Sequence, residues 1–186
     1  MLKHGASLLE PDVRFDGLAT HDADTGERRP MRIDDLRSMV ASIELAQHVP
    51  AAIREQFDVA RNAFVYSWFV YEFATLAEQQ CLAILEMALR QRLDPAALPN
   101  TTRSPGLNSL LKTAIQRGWL RREDFSVPSV SGSGESTCLL DFIPLSRNHL
   151  MHGNTHLLPQ GTPEIMRLCA DVMNRLFANA RNGPQT

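Results

Sequence analysis

What this 186-residue sequence lacks narrows its chemistry first. Its three cysteines, Cys81, Cys138 and Cys169, are too few and too far apart for a disulfide framework or a paired metal motif. They read as free, buried thiols in a reducing compartment. No apolar run is long enough to cross a bilayer, since the most hydrophobic stretch, Ala63 to Tyr71, stops at Glu72. The opening Met1-Leu2-Lys3-His4-Gly5 lacks the apolar segment of a secretory signal, so a cytoplasmic protein with no membrane partner is expected. A net charge of −2 gives no global basic field. A polyanion would need a local patch, which Arg103, Lys112, Arg117, Arg121 and Arg122 would supply unless they form a solvated face. Phosphate-cradling glycine loops, HExxH and GxSxG are missing as well, and no cofactor or metal is implied.

What is present is helical punctuation. Residues 1 to about 30 carry Pro11, Gly17, Gly26 and Pro30 without a sustained period, and read as an extended or hairpin-like arm that could pack on a neighbour. A short helix follows Asp34 and Asp35 as far as Ala46, with Leu36, Met39, Val40 and Ile43 on one face. Pro50 then opens the dominant element, because proline fits a helix's first turn. Ala51 to Leu93 holds no Pro or Gly, and its apolar stripe runs through Ile53, Phe57, Ala60, Phe64, Trp68, Tyr71, Leu82, Leu85 and Leu89. A straight rod of this length would be about 60 Å. A kink or break is therefore expected at the aromatic cluster Tyr66 to Phe73, where helix propensity is weakest. Trp68, Phe69, Tyr71 and Phe73 read as core rather than as base-stacking groups.

Further helices are predicted from Leu107 to Arg117 closed by Gly118, from Cys138 to His152 closed by Gly153, and from Pro163 to Ala180 capped by Thr162. Ile165, Leu168, Val172 and Leu176 mark the apolar face of the last. Ser126 to Ser136 reads as a flexible loop. With no strand alternation, the fold class is all-α: a bundle of four to five helices over residues 50–183, preceded by the arm and short helix of residues 1–49.

The one candidate chemical site is Arg147-Asn148-His149-Leu150-Met151-His152. Arg147 offers a permanent planar cation suited to phosphate oxygens, His152 a proton exchanger near neutrality, and Asn148 a polar group to orient them. On an ideal helix the Arg147 and His152 Cα atoms lie about 7.5 Å and about 140° apart, so one copy makes a poor pocket. Two copies around a two-fold axis would make a better one. Cations also favour helix C-termini on dipole grounds alone. His149, His152 and His156 share a metal-like spacing, but Gly153 interrupts them and no acidic or thiol ligand completes the set.

Arg147-Asn148-x-x-x-His152 resembles the Arg-to-His motif of the HEPN superfamily, the higher eukaryotes and prokaryotes nucleotide-binding domain. The long helix with Leu85-Glu86-Met87-Ala88-Leu89-Arg90, the motif helix after it and the C-terminal helix extend the resemblance over residues 50–180. It implies a HEPN-like bundle and a metal-independent endoribonuclease of toxin or defence type. The dimer would line one cleft with both motifs, Arg147 and His152 would be catalytic, and an antitoxin-type protein would be a possible partner. It equally admits a non-catalytic module that binds a nucleotide, RNA or protein. Family members place a polar residue from the long helix near the motif. Glu78, on the apolar stripe, would then pair with Arg147, or else sit solvated at the stripe's edge. Glu86 reads as a surface partner of Arg90, to which the resemblance adds a supporting role, with His149 beside the motif.

Overall fold

The computed structural model describes residues 3–22, 24–93, 105–128, 136–151 and 161–178. Six α-helices lie among these residues: α1 (Ile33–Ala41), α2 (Ala51–Tyr66), α3 (Phe73–Arg92), α4 (Leu107–Gln116), α5 (Phe142–Met151) and α6 (Thr162–Ala178). The expected all-α class needs amending, because two antiparallel ribbons accompany the helices. Strands β1 (Ala19–His21) and β2 (Arg28–Pro30) pair Thr20 with Arg29, and β3 (Ser126–Pro128) and β4 (Ser136–Cys138) pair Val127 with Thr137. Each is three residues long, too short to show a period of two in the sequence.

The arm folds onto its own chain. The Asp22 carboxylate accepts the N–H groups of Asp24 and Thr25, and Gly26 supplies a left-handed φ of 71°, which closes the β1–β2 turn. Arg29 then grips Asp35 with two bonds of 2.8 and 2.7 Å, tying the ribbon to the first turn of α1. That helix ends at Ala41, short of the expected Ala46, because Arg61 of α2 takes the Val40 and Ala41 carbonyls. The linker beyond it bonds instead to α6. Asn174 accepts the Ala46 N–H at 2.7 Å and donates to the Glu44 carbonyl, and its own carbonyl lies 2.9 Å from His48.

The long helical stretch breaks between Tyr66 and Phe73, as its aromatic cluster predicts. Asp12 holds the break: its N–H donates to the Trp68 carbonyl at 2.8 Å, and its carboxylate accepts the Tyr71 N–H. Arg14 binds the same carboxylate and stacks over the Tyr71 ring, while Phe15 packs on Trp68 and Tyr71. Two backbone groups of the break, the Trp68 carbonyl and the Tyr71 N–H, are thus satisfied by the arm.

Helix α2 buries Ile53, Phe57, Ala60 and Phe64, the stripe read from the sequence, against α3. α3 is the central element and meets α2, α4, α5 and α6. Its small buried residues Ala74, Ala77 and Ala88 allow neighbours to approach on several sides. Gly118 closes α4 at φ 69°, as expected. The segment expected as a loop and then a helix from Cys138 instead forms β3, β4 and a 3-10 turn, Leu139–Asp141, before α5. Pro144 fixes that late start, since it is tolerated only in a helix's first turn. α6 buries Met166, Cys169, Val172, Met173 and Leu176 most deeply; Val172 and Leu176 belong to the predicted face, whereas Ile165 and Leu168 are only partly buried. Thr162 does not cap it: it is the first helical residue, and its buried hydroxyl has no partner among the described residues.

Candidate functional site

Ile143 buries α5 against the core and leaves Arg147 at the seam with α3. A half-buried carboxylate waits there. Glu86 Oε1 binds Arg90 Nη2 at 2.6 Å, and Arg90 Nη2 also donates to the Pro105 carbonyl at 2.6 Å. The other carboxylate oxygen, Oε2, lies 3.8 Å from Arg147 Nη2. That distance is a charge contact, too long for a hydrogen bond. Glu86 is therefore anchored on one side and merely attracts Arg147 on the other. The Arg147 side chain is 43% exposed and makes no other polar contact among the described residues, so its donors remain available.

The remaining sequence-predicted residues divide sharply. Asn148 is exposed one residue along α5. His149 lies within α5, with its side chain outside the described set, and His152 and Gly153 lie outside the described residues altogether. Glu78 is not part of this seam. It is eight residues before Glu86, about 12 Å along the helix axis, and points into the α3–α6 interface near Cys81 and Cys169. Neither expectation for it holds: it is only 2% exposed, and it forms no ion pair with Arg147. Its Oε2 has no hydrogen-bond partner among the described residues, and burial pushes its carboxyl up to about 7. Burial also raises the Cys81 and Cys169 thiols, with the Glu78 charge adding to the effect. All three cysteines are buried and free of disulfides, and the Cys138 thiol donates to the Arg122 carbonyl.

The candidate basic patch is partly neutralised. Arg122 binds Asp141 through both terminal nitrogens, and Arg117 stacks on Trp119 opposite Arg92. Lys112 and Arg121 are exposed, and Arg103 lies outside the described residues. Among the described residues no cluster of His, Cys, Asp and Glu side chains could hold a metal, and no helix is long and apolar enough to cross a membrane.

The Glu86–Arg90–Pro105 anchor escaped sequence reasoning in part. The i, i+4 spacing signals the ion pair, but nothing marks the Pro105 carbonyl as its third member. A cavity of about 420 Å³ between the arm and Trp68 had no sequence signal, because its walls come from four separate segments. Comparison with protein-family models, curated proteins and solved structures finds no match to this chain.

Proposed function

We propose that the chain is a metal-independent HEPN-type endoribonuclease of the toxin or defence kind, acting in the cytoplasm as a homodimer and restrained by an antitoxin-type partner protein. The observation that supports this most is the state of Arg147. Its guanidinium is charge-balanced by an anchored carboxylate, yet its hydrogen-bond donors stay open to solvent on the helix that leads to His152. A permanent cation held in place but not consumed suits a phosphate that gains charge during reaction.

The chemistry follows from the two side chains. Neutral His152 accepts the proton of a ribose 2′-OH as that oxygen attacks the adjacent phosphorus. The bond to the 5′ oxygen breaks, and that oxygen takes a proton from the second copy's histidine or from water. The products are a 2′,3′-cyclic phosphate and a 5′-OH. Arg147 stabilises the charge on the phosphorane-like transition state, Glu86 positions Arg147, and Asn148, exposed beside it, lines the approach, with His149 in the supporting role the resemblance implies. On an ideal helix Arg147 and His152 would diverge by about 140°, so a second copy is needed to bring the complementary pair to the same phosphate.

The test is cleavage of total RNA in EDTA by wild type, Arg147→Ala and His152→Ala. Cleavage by wild type alone, with cyclic-phosphate ends, supports the reading, and no cleavage by a folded wild-type dimer across several RNA classes overturns it. A second reading is a non-catalytic HEPN-like module that binds a nucleotide, RNA or protein. It is favoured by the net charge of −2 and by the pairing of Arg122 with Asp141, which leave little attraction for a polyanion. RNA retention without cleavage, lost in Arg147→Ala, would establish it.

A further inference from the structure

The arm carries a projection and a recess that nothing in the proposed chemistry uses. The projection is Leu8 and Leu9, 54% and 83% exposed, with Val13 beside them at 76%. Three large apolar side chains within six residues, all facing water, mark an interaction surface more than chance exposure. They are held outward by design of the local bonding. Lys3 Nζ donates to the Ser7 and Glu10 carbonyls, and the Ser7 N–H and hydroxyl both donate to the His4 carbonyl, so the tip is a fixed turn.

The recess is the cavity of about 420 Å³ between Pro11–Ala19, Arg28–Met31 and Trp68. Its floor is apolar, formed by Phe15, Met31 and Trp68, and its volume is within the roughly 300–1,000 Å³ that accepts an inserted group. Its rim carries Arg28 and Asp16, both exposed and neither in an ion pair among the described residues. This contrasts with Arg14 and Arg29, which are paired to Asp12 and Asp35. The projection has charges of both signs that form no ion pair among the described residues, Glu10 and the Lys3 ammonium, the latter donating to the Ser7 and Glu10 carbonyls.

We propose that the Leu8-Leu9 projection of one copy seats in the Phe15–Met31–Trp68 recess of a second copy, and reciprocally, about a two-fold axis. Apolar tip then meets apolar floor, Glu10 meets the partner's Arg28, and Lys3 meets the partner's Asp16. A contact that uses the same patch on both copies requires tip and recess to be adjacent on one surface. Pro11, which follows the tip and lines the recess, makes them so. The area involved is small, so the arms add to a second interface rather than holding a dimer alone. The arm lies outside the Arg147–His152 region and its contact needs no RNA cleavage, but it rests on the homodimer of the proposed function for the larger interface.

The test places a photo-crosslinking side chain at Leu9 and mixes isotopically light and heavy copies, with no RNA present. Crosslinks between light and heavy chains at residues 28–31 or 68 are expected. Crosslinks confined to one copy, to a different polypeptide, or none at all would overturn the proposal. Charge exchange adds a second test, since Glu10 and Arg28 are both exposed. Glu10→Arg and Arg28→Glu should each lower the intermolecular yield about tenfold, and the double variant should recover it. Failure of the double variant to recover would overturn the reciprocal arrangement.

Discussion

Helix α3 carries two glutamates eight residues apart whose fates are opposite. In its first half, Glu78 faces α6 without a partner for its buried oxygen, and holds its proton up to about 7. In its second half, Glu86 stands between Arg90 and Arg147 at the seam with α5. Residue type and helix are the same. What differs is whether the carboxyl can be met by a cation, and so whether it acts as a charge or as a neutral polar group. Burial without a cation pushes the Glu78 carboxyl toward its neutral form, whereas Glu86 has two guanidinium groups beside it.

The comparison can be broken most forcefully at the seam. If the ribonuclease reading holds, Arg147→Ala should slow RNA cleavage by about 10²–10³, and His152→Ala by about 10²–10⁴. Single-turnover rates and analysis of the product ends check both. The structural contrast is tested next at Glu78. Its folded value of about 7 exceeds its ordinary 4.5, so the proton is bound more tightly in the folded chain. Below 4.5 both states are protonated and the group costs nothing. Between 4.5 and 7 the unfolded chain ionises first, so stability falls as pH rises, and above 7 the loss levels off near about 3 kcal/mol. Glu78→Gln should flatten that slope in urea titrations from pH 4 to 8 and should stabilise the protein at pH 8. An unchanged slope would remove Glu78 as its source.

Smaller effects are expected farther from burial. Glu86→Gln keeps the shape but loses the charge that attracts Arg147. It should cost about 1 kcal/mol of stability and raise the KM for RNA more than it lowers kcat. Asp141→Asn, which removes the exposed partner of Arg122, should leave the urea midpoint unchanged. By freeing a cation it should also tighten any RNA binding at low salt, as a filter-binding titration would detect.

Legibility in the sequence followed the range of the interactions involved. The α2 stripe, the break after Tyr66, the Gly118 closure and the ends of α4 are local, and residues a few positions apart encode them. The end of α1 was not legible, because Arg61 and Asn174 terminate it from other helices. The short ribbons were missed for want of length, and Glu78 was misjudged because its surroundings are set by α6, nearly a hundred residues later. At the site, the motif marked Arg147 and the spacing marked Glu86 with Arg90. That Arg147 faces Glu86 and not Glu78 depends on how α5 settles on α3, which no pattern within either helix records.

The bonding of Asn174 has a consequence for how the chain is made. The Glu44 carbonyl and the Ala46 N–H are met by a residue 128–130 positions downstream. At about 5–20 residues per second, the ribosome needs roughly 6–26 s to deliver it. Until then the junction of α1 and α2 has only water for those groups. The junction of α1 and α2 must therefore wait for α6, and its native shape is reached only after residues 162–178 have been made.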